Sequence, residues 1–174
     1  MGKNRFSNVV IVNYREVREY LSMTECIRVL EDALKALNQK NALNPLRSSL
    51  WLPDKRGLLA IMPGYLGSSE VMGIKTVSVF PGNEGTEFNS HQGSVIIYET
   101  KNGCPLAVID GGEITAIRTA AASAVATKLL ADKNASDLAI LGSGVQARNH
   151  LKAMITVRNI KRVRVWSKPE EHAQ

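Results

Sequence analysis

Between Leu138 and Trp166 the chain reads as a strand, a glycine turn, a helix and a second strand, and few folds accept that order. Leu138-Ala139-Ile140-Leu141 is a short apolar run, and Gly142-Ser143-Gly144 follows at once. A helical pattern then runs to about residue 157, and Arg162-Val163-Arg164-Val165-Trp166 is the second strand. This is the pattern of the first β–α–β unit of a dinucleotide-binding fold. Gly142 allows the tight turn, and Gly144 lets the backbone approach a pyrophosphate. That anion would rest on the helix N-terminus, along Gly142, Ser143, Gly144, Val145 and Gln146, where free N–H groups and the macrodipole favour negative charge. Ala147 fills the third small position of the G-x-G-x-x-G/A pattern. Three such residues also occur in accidental turns, so the flanking strands and helix carry the assignment.

The end of the second strand bears on which dinucleotide fits. An acidic residue there would bind the adenosine ribose 2′-hydroxyl and select NAD. Here the residues are Ser167 and Lys168. A hydroxyl and a cation suit a 2′-phosphate, so NADP(H) is favoured over NAD(H). The plain alternative is that Lys168 is a solvated surface lysine.

Upstream the texture differs. Val9–Val12 is a short apolar run. Asn13 offers an N-cap for a helix near 14–21, and Ser22 or Thr24 for a longer one whose Ile27, Leu30, Leu34 and Leu37 predict a buried face. Pro45 marks a break. Short β-like runs follow at 47–52, 58–62, 71–80, 93–99 and 105–109, with Asn102-Gly103 as a hairpin signal and 81–89 as a loop. They predict a mostly antiparallel sheet ended by Asp110-Gly111-Gly112. An alanine-rich helix is expected over 113–131, and another opening after Ser167-Lys168-Pro169. The fold class is therefore α/β: an α+β part over residues 1–115, then the start of a Rossmann domain over 116–174.

Bulk properties narrow the partners. The net charge of +6 comes from scattered basic residues, and aromatics are only 5% of the chain, too few for a base-stacking platform. An anionic small ligand explains the charge better than nucleic acid. Cys26 and Cys104 have no metal-ligand or disulfide spacing and read as packing thiols in a reducing compartment. No apolar run is long enough to span a membrane, and no signal sequence is evident after Met1-Gly2-Lys3-Asn4-Arg5, so a cytoplasmic protein is expected.

Three cations sit in unusual places. Lys75 shares a strand face with Val71, Gly73, Val77 and Val79, where an unpaired charge is costly unless it snorkels. Arg118 lies early in its helix, against the macrodipole. Arg47 follows Pro45 and could clamp a carboxylate through two hydrogen bonds. Each could be structural alone; an anion meeting them explains all three. His91, in Ser90-His91-Gln92, has no sequence partner that would make it a catalytic or metal-binding histidine.

Taken in order, Met62-Pro63-Gly64-Tyr65, Lys75, Ser90-His91-Gln92, Asp110-Gly111, Arg118-Thr119-Ala120-Ala121 and Gly142-Ser143-Gly144-Val145-Gln146-Ala147 resemble the ornithine cyclodeaminase/mu-crystallin family. The resemblance implies an incomplete substrate and dimerisation domain followed by a truncated Rossmann domain, in a homodimer. It implies hydride exchange between a nicotinamide and the α-carbon of a small amino or imino acid, without a metal. By position, Arg47, Lys75 and Arg118 would hold the substrate carboxylate, with Lys75 also catalytic. Ser90, His91, Gln92, Arg118, Thr119 and the glycine loop would contact the cofactor.

Two departures refine this. Ornithine cyclodeaminases carry a glutamate two residues before the Met-Pro pair to read the distal amine; here that residue is Ala60. With Ser167-Lys168, this looks more like the ketimine reductase branch. The family's acid–base aspartate falls beyond Gln174, so these 174 residues alone are expected to lack turnover. The alternatives are cyclodeamination of L-ornithine to L-proline, and a non-catalytic, crystallin-like protein that binds NADPH or another small ligand.

Overall fold

The structure is a computed structural model that describes residues 9–168. The helix expected to open at Pro169, and the N-terminal residues read for a signal, lie outside the described residues. The chain gathers into two units, one of residues up to Tyr20 with Ala33–Ile114, the other of Leu21–Asp32 with residues from Thr115 onward. The later boundary falls one residue before the expected 115/116. Assignment of Leu21–Asp32 to the second unit is something a linear division does not foresee.

In the first unit, β1 (Val10–Val12) leads into α1 (Tyr14–Tyr20). Asn13 Oδ1 accepts the amides of Arg15 and Glu16, while the Glu16 carboxylate accepts the Asn13 amide at 2.8 Å. This reciprocal box fixes where the helix starts. In α2 (Met23–Asn38), Ser22 is the cap, its hydroxyl accepting the Glu25 amide at 3.2 Å. Of the expected face of α2, Ile27 is buried and Leu30 half-buried, whereas Leu34 and Leu37 are exposed; Cys26 and Ala36 are buried besides.

Seven strands make one sheet. They are β1, β2 (Ala42–Leu43), β3 (Ser48–Trp51), β4 (Leu58–Leu66), β5 (Val71–Val79), β6 (His91–Glu99) and β7 (Pro105–Asp110). The order is β1-β7-β6-β5-β4-β2, with β3 also paired to β4; only the β1–β7 pairing is parallel. Pro63 lies inside β4, where a missing N–H should break the ladder. The other neighbour of β4 is interrupted there: β2 ends its pairing at Leu43–Tyr65 and β3 begins at Ser48–Ile61. Pro63 therefore faces the unpaired stretch around Pro45. Between β6 and β7, Gly103 takes φ +73° and the Glu99 carboxylate accepts the amides of Lys101, Asn102 and Cys104. Those bonds, that of Cys104 foremost, hold Glu99 below the usual carboxylate range.

Asp110 ends the sheet as expected, and the alanine-rich helix begins two residues before the expected 113. The helix α3 (Gly111–Leu130) starts at once, with Asp110 Oδ1 accepting the Glu113 amide at 2.7 Å. Gly111 is required by contact: a Cβ there would stand 2.7 Å from backbone atoms of Gly93 and Ser94 in β6. In the second unit the alanines of α3 form the core, with Ala120, Ala121 and Ala124 fully buried. The strand β8 (Asp137–Leu141), helix α4 (Val145–Val157) and strand β9 (Arg162–Trp166) follow, and β8 pairs β9 in parallel. Arg158, just past α4, closes the end of α3, donating to the carbonyls of Thr127, Lys128, Ala131 and Asp132.

Gly111→Ala should lower stability by about 2 kcal/mol or more, because the added methyl meets backbone that cannot rotate away. Gly82→Ala, where a Cβ meets nothing within 4 Å, should stay within about 0.5 kcal/mol of the parent. Denaturant titration of the two variants checks the pair.

Candidate functional site

Each unit carries its own part of the predicted residues. In the first, pairing across the sheet puts Met62, Lys75, Val95 and Ile109 in one row. Lys75 is half-buried in the middle of β5. Arg47 immediately precedes the Ser48–Ile61 pair and so lies level with Met62, one strand beyond it. Neighbouring strands are about 4.8 Å apart, so the backbones of Arg47 and Lys75 are roughly 10 Å apart across the sheet. Arg47 is exposed, and no ion pair of its guanidinium is found among the described residues.

His91 pairs with Val79, four residues along β5 from Lys75, so both face the same side of the sheet. Its ring Nδ1 lies 3.0 Å from Ser90 Oγ, and Gln92 Nε2 donates to the Asn89 carbonyl at 3.3 Å. His91 and Gln92 are exposed at the start of β6, with Ser90 half-buried before them, beside a cavity of about 420 Å³ lined by the 81–91 loop including Phe88, Ser90 and His91. Ala60 pairs with Val77, next along β4 from the Met62–Lys75 pair, and is 6% exposed. Nothing acidic stands at that position on the Lys75 face.

In the second unit, Gly142 takes φ +112°, and its amide donates to the Trp166 carbonyl at 2.7 Å, tying the glycine turn to the end of β9. Gly144 is the N-cap of α4, with no side-chain cap, and a Cβ on either glycine would meet nothing within 4 Å. The amides at the start of α4 are therefore approachable by a ligand. Ser143 Oγ and Ser167 Oγ are 2.8 Å apart, and Ser167 is buried. The Ser167 hydroxyl thus braces the loop, while Lys168 beside it is exposed.

Arg118 is half-buried on α3 between the buried Ile117 and Ala121. Burial pushes the Cys26 thiol up, and the nearby charge of Arg118 offsets part of that rise. No ion pair of Arg118 is found among the described residues. Thr119 is half-buried beside it. No group of three or more His, Cys, Asp or Glu side chains among the described residues could hold a metal ion. No described helix is long and apolar enough to cross a membrane.

Sequence reasoning missed one polar pair. Ser123 on α3 and His150 on α4 are hydrogen-bonded at 3.0 Å, and His150 Nδ1 lies 2.8 Å from the Gln146 carbonyl. The only trace in the sequence is a hydroxyl within an alanine-rich helix.

One unit carries a parallel β–α–β arrangement with an open glycine turn and the other a mostly antiparallel sheet bearing a half-buried lysine, which makes this a mixed α/β protein. The family model of the ornithine cyclodeaminase/mu-crystallin family matches residues 7–174, and the chain belongs to that family. It is 38% identical over 163 residues to the ketimine reductase mu-crystallin of Mus musculus, covering 91% of this chain and 52% of the mouse protein. Among solved structures, it is similar to the Thermococcus litoralis Δ1-pyrroline-2-carboxylate reductase in complex with NADH and L-proline, with a TM-score of 0.90 and 37% identity over 95% of this chain and 51% of that one. An archaeal alanine dehydrogenase dimer with bound NAD matches with a TM-score of 0.89 and 32% identity, over 95% of this chain and 50% of that one. The chain spans about half the length of the relatives it matches.

The two glycines of the turn should respond differently to alanine. Gly142→Ala is expected to cost roughly 1–2 kcal/mol, since its positive φ disfavours any Cβ. Gly144→Ala, at φ −75° with open space around it, should leave stability nearly unchanged. Equilibrium unfolding of both variants measures the difference.

Proposed function

We propose that this chain is the front part of an NADP(H)-dependent reductase of small imino acids, in which residues 1–115 carry the substrate side and 116–174 begin a Rossmann domain. The observation that carries the reading is the start of α4, where Gly144 supplies no cap and leaves the first amides open. A pyrophosphate would satisfy these donors with the aid of the helix dipole. The nicotinamide, when bound, supplies the reducing equivalent that converts a C=N bond to an amine.

This chain's residues would bind and orient. Gly142, Ser143, Gly144, Val145 and Gln146 take the pyrophosphate, with Arg118 and Thr119 as further phosphate or carboxylate contacts. Ser90, His91 and Gln92 are further cofactor contacts in this reading. Arg47, Lys75 and Arg118 hold the substrate carboxylate, and the Lys75 ammonium lies on the face where the imine would be polarised or protonated. Lys168, exposed beside the buried Ser167, reads the 2′-phosphate. The two solved relatives described above carry NADH and NAD; the preference for the phosphorylated form rests on Ser167 and Lys168 in this chain. A homodimer is part of the proposal, supported by the dimeric alanine dehydrogenase.

Ala60 separates this reading from ornithine cyclodeamination. A buried methyl on the Lys75 face offers nothing to a distal ammonium, whereas a compact imino acid needs no partner there. Retention of Arg47, Lys75 and Arg118 favours chemistry over a purely ligand-binding role.

NADPH should bind more tightly than NADH, and Lys168→Asp should reverse the order; fluorescence titration of both proteins checks it. Equal affinities, unchanged in the variant, would overturn the cofactor assignment. Arg118→Ala should weaken substrate-carboxylate binding by about 2–5 kcal/mol with a much smaller loss of stability. Calorimetric titration with L-proline as a product analogue, beside a thermal melt, separates the two effects.

A further inference from the structure

We propose that Ser123 and His150 are positioning residues that hold the first turn of α4 in register with the Arg118–Thr119 turn of α3, and so set the geometry of the phosphate site. The inference rests on the dinucleotide reading above and deepens it.

The hydrogen-bond chain has one consistent direction. A backbone carbonyl only accepts, so His150 Nδ1, 2.8 Å from the Gln146 carbonyl, carries the proton. In the neutral ring Nε2 is then an acceptor, and Ser123 Oγ, 3.0 Å away, donates to it. The Thr119 carbonyl, at 3.4 Å from Ser123 Oγ, is the weaker alternative acceptor. The path therefore runs from the α3 hydroxyl through the imidazole to the carbonyl of Gln146, a residue of the first turn of α4.

The position of this link gives it its role. Arg158 ties the end of α4 to the carbonyls of Thr127 and Ala131 on and just past α3. Going from Ser123 to Ala131 on one side matches going from His150 to Arg158 on the other, so the two helices run parallel. One turn back from the Ser123–His150 link, about 6 Å along each axis, are Thr119 and Gln146. The Arg118–Thr119 turn, midway along α3, thus lies level with the first turn of α4, directly behind this link. The α3 surface nearby is Ala120, Ala121 and Ala124, all fully buried. Apolar contact between such small side chains is non-directional and resists sliding poorly; a directed hydrogen bond sets the register.

The test compares Ser123→Ala, Ser123→Thr, His150→Asn and the Ser123→Ala/His150→Asn double variant, each titrated with NADPH and melted. Asparagine can keep the bond to the Gln146 carbonyl but is too short to reach Ser123. Ser123→Ala and His150→Asn should each weaken NADPH by about tenfold. The double variant should be no weaker than either single one, because all three remove the same link. Ser123→Thr, which keeps the hydroxyl, should bind within about twofold of the parent, well inside the range of a preserved hydrogen bond. Variants that melt lower yet bind NADPH as the parent does would overturn the positioning role and leave the cofactor reading intact. A parent protein that binds no NADPH would overturn both. Nitrogen NMR of the His150 ring in the parent gives a readout independent of how the variants fold: the Nδ1–H tautomer supports the chain of bonds, and the Nε2–H tautomer refutes it.

Discussion

The backbone donors left over at the start of a helix govern this structure. Asn13 closes α1, Ser22 closes α2 and Asp110 closes α3, each with a side-chain oxygen on an amide of the first turn. The start of α4 has no such oxygen, because its cap is Gly144. Three helices meet the demand for hydrogen-bond acceptors from within the chain, and one presents that demand outward. The turn before it is held by the Gly142 amide on Trp166 and by Ser143 on Ser167, so the open amides stand on a braced frame. Such preorganisation lets an anion bind without first ordering the loop.

The sheet of the first unit has a comparable division of labour. Its apolar rows supply the packing, and Lys75 interrupts one of them. The pairing register brings Arg47 level with the same row and puts His91 on the same face. Ala60, on the same face, is buried and presents only a methyl group there.

Much of this was legible in the sequence because it depends on local chemistry. The caps at Asn13 and Ser22, the hairpin at Asn102-Gly103 and the strand–turn–helix–strand run are fixed by residues close together in the chain. What escaped depends on partners far away. Leu34 and Leu37 have the right spacing to continue the face that Ile27 begins, but how far along a helix that face stays covered is decided by distant neighbours, and both are exposed. Pro63 argues against a central strand until the interrupted pairing opposite it is known. Gly111 reads only as the end of the sheet, yet its lack of a Cβ is required by the backbone of β6. Ser123 and His150 are unremarkable until two helices run side by side.

The parallel course of α3 and α4 has an energetic consequence. Dipoles aligned side by side repel, and at one end of the pair the unmatched carbonyls converge on a single guanidinium, that of Arg158. At the other end the two helices differ: Asp110 and Glu113 put carboxylates at the start of α3, whereas α4 starts on Gly144 with no side-chain cap, so the positive end of the dipole is balanced within the chain in one helix and left open in the other.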